Sequence, residues 1–117
     1  MATFTKVLLS GSTQGKGIKV VQTATAGTTI HTAVSGTSSI DEVWLYAHNT
    51  SSSAVKLTLE WGEATAPDGH IEITINAEGT GLVLIAPGIP LQNGLVIKAF
   101  AATANVINIF GYVNRIS

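Results

Sequence analysis

Three histidines, His31, His48 and His70, are the residues best suited to hold a metal ion or to transfer a proton. They fall on three different predicted strands, and none has the short spacing to a second ligand that forms a zinc site. No carboxylate stands beside His31 or His48 in the sequence to orient a metal-bound imidazole. The chain also has no cysteine, which excludes a thiolate ligand. We therefore predict no metal site and expect these histidines on polar faces or at the rim; the alternative is one histidine repeated around a trimer axis.

The acidic residues and the serines offer the other routes to catalysis. Glu60, Glu63 and Glu72 are candidates for the paired carboxylates of a glycoside hydrolase, but Glu60 and Glu72 each alternate with apolar residues on separate predicted strands. Such alternation is typical of carboxylates that face the solvent. The serines lie in turns and lack the Gly-x-Ser-x-Gly context of an activated nucleophile. The sequence predicts no catalytic residue and no cofactor, so we do not expect an enzyme.

Binding to nucleic acid or to a membrane has no support in the sequence. Six basic residues stand against seven acidic residues, which gives a net charge of −1 and no basic patch. Gly15-Lys16 is not part of a phosphate-binding loop, because Gly17 occupies the position of the required Ser or Thr. No apolar run approaches the roughly 20 residues that cross a bilayer, and we expect no signal peptide at the N-terminus.

The few aromatic residues fall in long predicted strands. Trp44, Tyr46 and His48 share one face of a strand, and Phe110 and Tyr112 share one face of the last strand. The opposite face of each strand is aliphatic, so both faces of both strands are apolar enough to be buried. We predict that these five residues form an interface that another chain covers. The alternative is a sugar-binding platform, in which exposed rings stand beside polar groups.

The elements that must position these residues are short strands separated by Gly-rich and small polar turns. No segment has the length and the N-cap of a helix. Regularly spaced strands predict an all-β fold, an antiparallel β-sandwich of jelly-roll type with about nine strands. Pro87 and Pro90 interrupt the chain after the seventh strand, and the last two strands are expected to form a pair. The predicted strands are residues 4–9, 18–23, 28–34, 40–48, 55–61, 70–75, 82–85, 95–101 and 106–116.

The long stretch Ile40–Gly62 predicts a β-hairpin closed by the polar turn at residues 49–53. The alternation in its second strand predicts one side that faces the core and one polar side that faces water or a neighbour. The core side carries Val55, Leu57, Leu59 and Trp61, and the polar side carries Lys56, Thr58 and Glu60.

Residues 1–117 are expected to form a single β-sandwich domain, because the length suits one domain and no linker or repeat divides the chain. The glycine-rich segment Ser10–Gly17 is the one compositional outlier. It is either a hairpin loop or the hinge of an extended N-terminal arm formed by residues 1–17.

The charge content is unusually low. Only 11% of the residues are charged, against roughly 25% in ordinary globular proteins. The surface must therefore be built from Ser, Thr, Gly, Asn and Ala, which are cheaper to desolvate than ionised groups. A soluble monomer usually relies on charge to prevent association. We infer that other protein covers much of the exterior; the alternative is a secreted or thermally undemanding β-domain that is simply rich in Thr and Ser.

Three segments carry a resemblance to a known class of proteins. They are the Met-Ala-Thr-Phe-Thr-Lys start, the stretch Glu42–Gly62 with its Asn-Thr-Ser-Ser-Ser turn, and the final Gly111-Tyr112-Val113-Asn114-Arg115-Ile116. Together they resemble small virion structural proteins of tailed bacteriophages, in particular capsid decoration (cement) proteins. The resemblance is one of composition and style and covers most of the chain.

The resemblance implies a non-enzymatic role on the virion. Such proteins are made in the host cytoplasm and sit as trimers on the outer capsid surface, where they bridge subunits of the major capsid protein. Two other roles stay open. One is a fibre- or tail-associated module that binds a receptor or a glycan near Trp44, Tyr46 and His48. The other is a head–tail joining protein, which ring stoichiometry would separate from a trimer.

Overall fold

The structure is a computed structural model that describes residues 2–117, and these residues are almost entirely strands and turns. The one helical element within residues 2–117 is a single 3₁₀ turn, Glu78–Thr80, so the predicted all-β class is confirmed. No helix in residues 2–117 is long and apolar enough to cross a membrane. The strands are β1 (Phe4–Leu8), β2 (Ile18–Lys19), β3 (Thr28–Thr32), β4 (Ile40–Asn49), β5 (Val55–Trp61), β6 (His70–Ile75), β7 (Val83–Leu91), β8 (Val96–Ala101) and β9 (Ile107–Ile116).

The strands form two antiparallel sheets with jelly-roll connectivity. One sheet has the order β1-β9-β4-β7, with β2 also paired to β9, and the other has the order β3-β8-β5-β6. Strands β1 and β2 pair with successive parts of β9 and count as one interrupted strand. The strands then pair from the ends of the chain inward. The interrupted strand β1/β2 pairs with β9, β3 pairs with β8, β4 pairs with β7, and β5 pairs with β6. This nesting confirms the predicted β-sandwich of jelly-roll type with about nine strands.

The predicted hairpin between β4 and β5 is wrong, because the two strands lie in different sheets. Strand β4 already has a neighbour on each side, β7 and β9, which leaves no edge for β5. The polar turn instead crosses between the sheets, and buried Asn49 holds it. The Asn49 Nδ2 donates to the backbone oxygens of Ser53 at 2.7 Å and Ile75 at 3.1 Å. The predicted pairing of the last two strands, β8 with β9, is also wrong, because these two strands lie in different sheets.

Strand β7 runs through the two prolines that were expected to interrupt it. Pro87 and Pro90 both lie inside Val83–Leu91. The strand is the edge of its sheet, pairs only with β4, and shifts register twice along that ladder. A proline is tolerated at such an edge because its missing N–H falls on the free side or at a bulge.

The core lies between the sheets and follows the predicted alternation. Val43, Leu45 and Ala47 of β4 are fully buried, whereas the residues between them are only half-buried. From β5, Leu57 and Leu59 are fully buried, and the half-buried Trp61 packs against the same cluster.

The expectation that Glu60 faces the solvent is wrong, and Thr58 beside it on the same side is buried as well. Glu60 is 1% exposed because residues 23–27 lie over the outer side of β5. The Thr25 hydroxyl donates to the Glu60 carboxylate, and the Gly27 backbone N–H donates to its Oε1 at 2.6 Å. These bonds compensate the cost of burying a carboxylate.

The N-terminal residues form part of the five-stranded sheet. Strand β1 pairs with β9 of the same chain over five residues, from Phe4 opposite Ile116 to Leu8 opposite Tyr112. The following turn then lies beside β3, where the Gly11 N–H donates to the Ile30 oxygen at 2.9 Å.

Candidate interaction surface

The five residues predicted as an interface lie on one face of the five-stranded sheet. The register places Trp44 opposite Tyr112 and Tyr46 opposite Phe110, while His48 stands opposite Asn108. All five are half-buried and point away from the core. We call this surface, formed by Trp44, Tyr46, His48, Phe110 and Tyr112, the aromatic face. The sequence placed these residues on two separate strands, and the fold brings the strands together.

Trp44 is the most constrained ring of the aromatic face. It stacks on Tyr112 with 6.3 Å between ring centroids and 11° between ring planes. Its Nε1 donates to Glu42 Oε1 at 2.8 Å, and the Asn114 Nδ2 donates to the same oxygen at 3.1 Å. The bond from Trp44, followed by that from Asn114, lowers the pKa of Glu42 from its usual range. A carboxylate that stays ionised therefore fixes the plane of the indole.

Glycine backbones hold the rings from two sides. A Cβ added to Gly17 would lie 2.7 Å from the Phe110 ring, and one added to Gly88 would lie 3.0 Å from the Trp44 ring. Gly88 also has a φ of +74°, a conformation that favours glycine. At one end of the face, His48 Nδ1 lies 3.2 Å from the Gly81 oxygen. The Phe110 and Trp44 rings are thus packed directly against backbone, which leaves them little freedom to rotate.

Neighbouring strands extend the apolar surface beyond the five predicted residues. Phe4 and Leu8 of β1 lie on the same side as Tyr112 and are 70% and 53% exposed. Between them, the Lys6 ammonium lies 4.6 Å from the centre of the Tyr112 ring, a cation–π distance. On the other flank Leu84, opposite Tyr46, is 47% exposed. These residues were missed because their side could be assigned only once their partner strands were known.

The sequence predicted His31 on a polar face or at the rim, and this is wrong. His31 is buried beside a carboxylate. Its Nε2 donates to Asp41 Oδ2 at 2.8 Å, and its Nδ1 accepts from the Ser10 backbone N–H at 3.0 Å. Arg115 Nε donates to Asp41 Oδ1 at 2.7 Å, and its Nη2 donates to Oδ2 at 3.0 Å. The Val34 N–H adds a further bond to Oδ2 at 3.0 Å. The network joins β3 of one sheet to β4 and β9 of the other.

The charges of this network stabilise one another. Burial raises the pKa of Asp41, but the hydrogen bonds from Arg115, His31 and Val34 outweigh it, so the pKa lies below its usual range. The hydrogen bond to Asp41 in turn raises the pKa of Arg115. Asp41 is therefore an ionised carboxylate with no exposed surface, compensated by four hydrogen bonds.

The network has the residue types of a Ser-His-Asp triad but not its geometry. The Ser10 group that contacts His31 is the backbone N–H, whereas its hydroxyl oxygen accepts from the Thr32 N–H at 2.7 Å. A triad requires the hydroxyl itself on the imidazole. The three histidines also stay apart: within residues 2–117 no group of three or more His, Asp or Glu residues could hold a metal ion.

His70 lies on the outer side of the four-stranded sheet, far from the aromatic face. Its Nε2 lies 3.0 Å from the Ala64 oxygen and 3.9 Å from Glu60 Oε2. Its ring meets Phe100 edge to face at 5.8 Å. This side of the sandwich carries two half-buried rings, His70 and Phe100, and the exposed Lys56–Glu72 ion pair. The two outer faces therefore differ in character, aromatic on one sheet and polar on the other.

Comparison with protein families, curated proteins and solved structures finds no match for this chain. The aromatic face is therefore interpreted from its own geometry.

Proposed function

We propose that the protein is a non-enzymatic virion structural protein that binds the outer surface of a phage capsid and stabilises it by bridging capsid subunits. The contact is made by the aromatic face, and the partner is the major capsid protein. The observation that carries this proposal is the stacked, immobilised Trp44–Tyr112 pair at the centre of that face. Tryptophan and tyrosine are the residues that most often dominate the binding energy of protein interfaces.

The rigidity of the aromatic face supports this function. Rings already fixed by Glu42, Gly17 and Gly88 lose little conformational entropy when a partner covers them. The exposed Phe4, Leu8 and Leu84 widen the patch on both flanks. Contiguous apolar surface of this kind marks interaction sites in soluble proteins.

The low charge of the chain supports the same function. With 11% charged residues, few ionised groups have to be desolvated when the protein packs against a shell. A protein that binds only the expanded shell stabilises that state by mass action. In this proposal the protein is made in the host cytoplasm, associates with itself and acts on the virion surface. The trimer implied by the resemblance is one form of that self-association.

The test is sedimentation with expanded heads of the phage whose genome carries the gene. The wild-type protein should sediment with the heads. Trp44→Ala should weaken binding roughly 30-fold, since loss of a hot-spot residue costs about 2 kcal/mol or more. Phe100→Ala is the matched control, because it removes a half-buried ring from the other sheet. Thermal unfolding of both variants verifies that each is folded.

Two results would overturn the proposal. One is wild-type protein that stays in the supernatant at every ratio of protein to heads. The other is equal loss of binding in the two variants, which would mean that the aromatic face has no special part in the contact. A gene found outside any phage genome would contradict the proposal before any protein is made.

Glycan binding is the second candidate, and one observation favours it. The Glu42 carboxylate and the Asn114 amide lie at the edge of the Trp44–Tyr112 stack. Polar groups beside an aromatic ring provide both hydrogen bonds and a stacking surface for a sugar. Binding on a glycan array that is lost in Trp44→Ala would support this function. An array without any signal would remove it.

A further inference from the structure

The two sheets have four outer edges, and three of them carry features that discourage pairing with another chain. Strand β7 contains Pro87 and Pro90 and two register shifts. Strand β3 has a register shift and is covered on its free side, where Gly11 bonds to Ile30. Strand β1 carries Lys6 at its centre. Prolines, bulges, covering loops and lysines are the usual protections of edge strands.

Strand β6 has none of these protections over residues 71–75. It contains neither proline nor glycine and pairs with β5 over six consecutive residues without a shift. Its one carboxylate, Glu72, is neutralised by the Lys56 ammonium at 3.0 Å. A regular edge strand of this kind is a template for another strand.

The backbone groups on the free side of β6 can be identified from one hydrogen bond. The Trp61 N–H donates to the Gly69 oxygen at 2.7 Å, so residue 69 faces β5. Because hydrogen-bonded positions alternate in an antiparallel pair, residues 71, 73 and 75 also face β5. The N–H and C=O groups of His70, Glu72 and Thr74 then point to the free side. The His70 N–H is taken by the Pro67 oxygen at 3.1 Å. Among residues 2–117, no other chain segment bonds the backbone of Glu72 or Thr74 on that side.

These free groups complement a second copy of the same strand. In an antiparallel two-fold pair centred on Ile73, Glu72 of each copy faces Thr74 of the other, and their N–H and C=O groups form four hydrogen bonds. A pair centred on Glu72 would oppose two carboxylates, which is unfavourable. A pair centred on Thr74 would require Asn76, which lies beyond the end of the strand. The register centred on Ile73 is therefore preferred.

The same register matches the side chains on the core side of the strand. It brings the two Ile73 side chains together and sets each Ile71 opposite Ile75 of the other copy. Ile71 and Ile73 are half-buried at this edge, so pairing covers apolar surface that the isolated chain leaves in water.

We propose that β6 is a self-association edge. Two copies pair their β6 strands antiparallel about a two-fold axis at Ile73, and their four-stranded sheets join into one sheet of eight strands. This inference goes beyond the proposed function, because the aromatic face belongs to the other sheet and stays free. It gives an assembly with two-fold symmetry, whereas the resemblance implies a trimer.

A cysteine scan across the edge tests both the contact and its register. The chain has no cysteine, so a single introduced thiol can form a disulfide only with another copy. Opposed residues of a non-hydrogen-bonded pair have Cα atoms about 4.5 Å apart, within the range of a disulfide. Ile73→Cys should therefore oxidise to a covalent dimer. Glu72→Cys and Thr74→Cys, one residue to either side, should stay monomeric on a denaturing gel.

A second experiment measures the contact without cross-linking. The wild-type protein should sediment as two chains at high concentration, and Thr74→Pro as one chain. The proline removes an outward N–H that has no partner within the chain, whereas Thr74→Ser keeps it and should still dimerise. A wild-type monomer at all concentrations, a trimer, or cross-linking at position 72 or 74 in place of 73 would each overturn the proposal. Head binding by Thr74→Pro then shows whether the aromatic face works independently of this edge.

Discussion

Replacing Asp41 with asparagine tests whether the buried charge network holds the two sheets together. The substitution keeps the volume of the side chain but removes its charge and turns one acceptor oxygen into an N–H donor. Asp41 accepts from Arg115 at 2.7 and 3.0 Å and from His31 at 2.8 Å. In the variant at least one of these donors faces another donor. An unpaired buried polar group of this kind is strongly destabilising.

The expected loss of unfolding free energy follows from the burial of Asp41 and Arg115. Removal of one member of a buried ion pair costs about 3–5 kcal/mol. The Arg115 side chain is 33% exposed and can be rehydrated, which favours the lower end of that range. We expect a loss of about 3 kcal/mol out of the roughly 5–15 kcal/mol of a typical domain. For a chain of this size that is a fall in Tm on the order of 10 °C.

Urea unfolding at pH 7, followed by circular dichroism, measures this loss. Glu72→Gln is the matched control, because Glu72 is also paired but is 56% exposed, next to Lys56 at 55%. An exposed pair contributes only about 0–1 kcal/mol. A free energy of unfolding for Asp41→Asn within about 1 kcal/mol of the wild-type value would refute the argument from burial. So would equal losses in the two variants.

Three further predictions use the same unfolding assay. The pKa of Asp41 is lower in the folded chain than in the unfolded chain. The stabilisation that ionised Asp41 provides is therefore fully present above its pKa in the unfolded chain, about 4, and is lost as the pH falls through its pKa in the folded chain. The wild type should therefore lose more stability than Asp41→Asn on acidification below about pH 4, and parallel curves would contradict this. Leu57→Ala should cost about 2–5 kcal/mol, because Leu57 is fully buried between the sheets. Trp44→Ala should cost less than Leu57→Ala, and an equal cost would mean that Trp44 is a core residue.

The two faces of each long strand were predictable from the sequence. The side-chain period of two is a local property of an extended chain, so Trp44 and Tyr46 had to lie opposite Val43 and Leu45 whatever the fold. The same reasoning put Phe110 and Tyr112 on one face of β9. Most strand positions also followed from apolar segments bounded by glycine and small polar residues. Two bounds were wrong: the strand predicted at 18–23 is only Ile18–Lys19, and the one predicted at 82–85 extends over Val83–Leu91.

The partners of each strand were not predictable in this way. A five-residue polar turn between two half-apolar strands suits a hairpin and a crossing between sheets equally, since both bury the same side chains. The choice was made by β7 and β9, which occupy both edges of β4 and leave none for a hairpin partner. Segments that are distant along the chain therefore decided the structure of a local turn.

Burial of the charged residues also required the tertiary structure. Alternation with Leu59 and Trp61 predicted an exposed Glu60, but residues 23–27 cover it. His31 has no carboxylate beside it in the sequence, yet Asp41 lies 2.8 Å away in the fold. The sequence alone determined which side chains share a strand face, because that depends on the chain's own geometry. Only the tertiary structure decided which faces meet, because strand pairing and loop covering join segments that are distant along the chain.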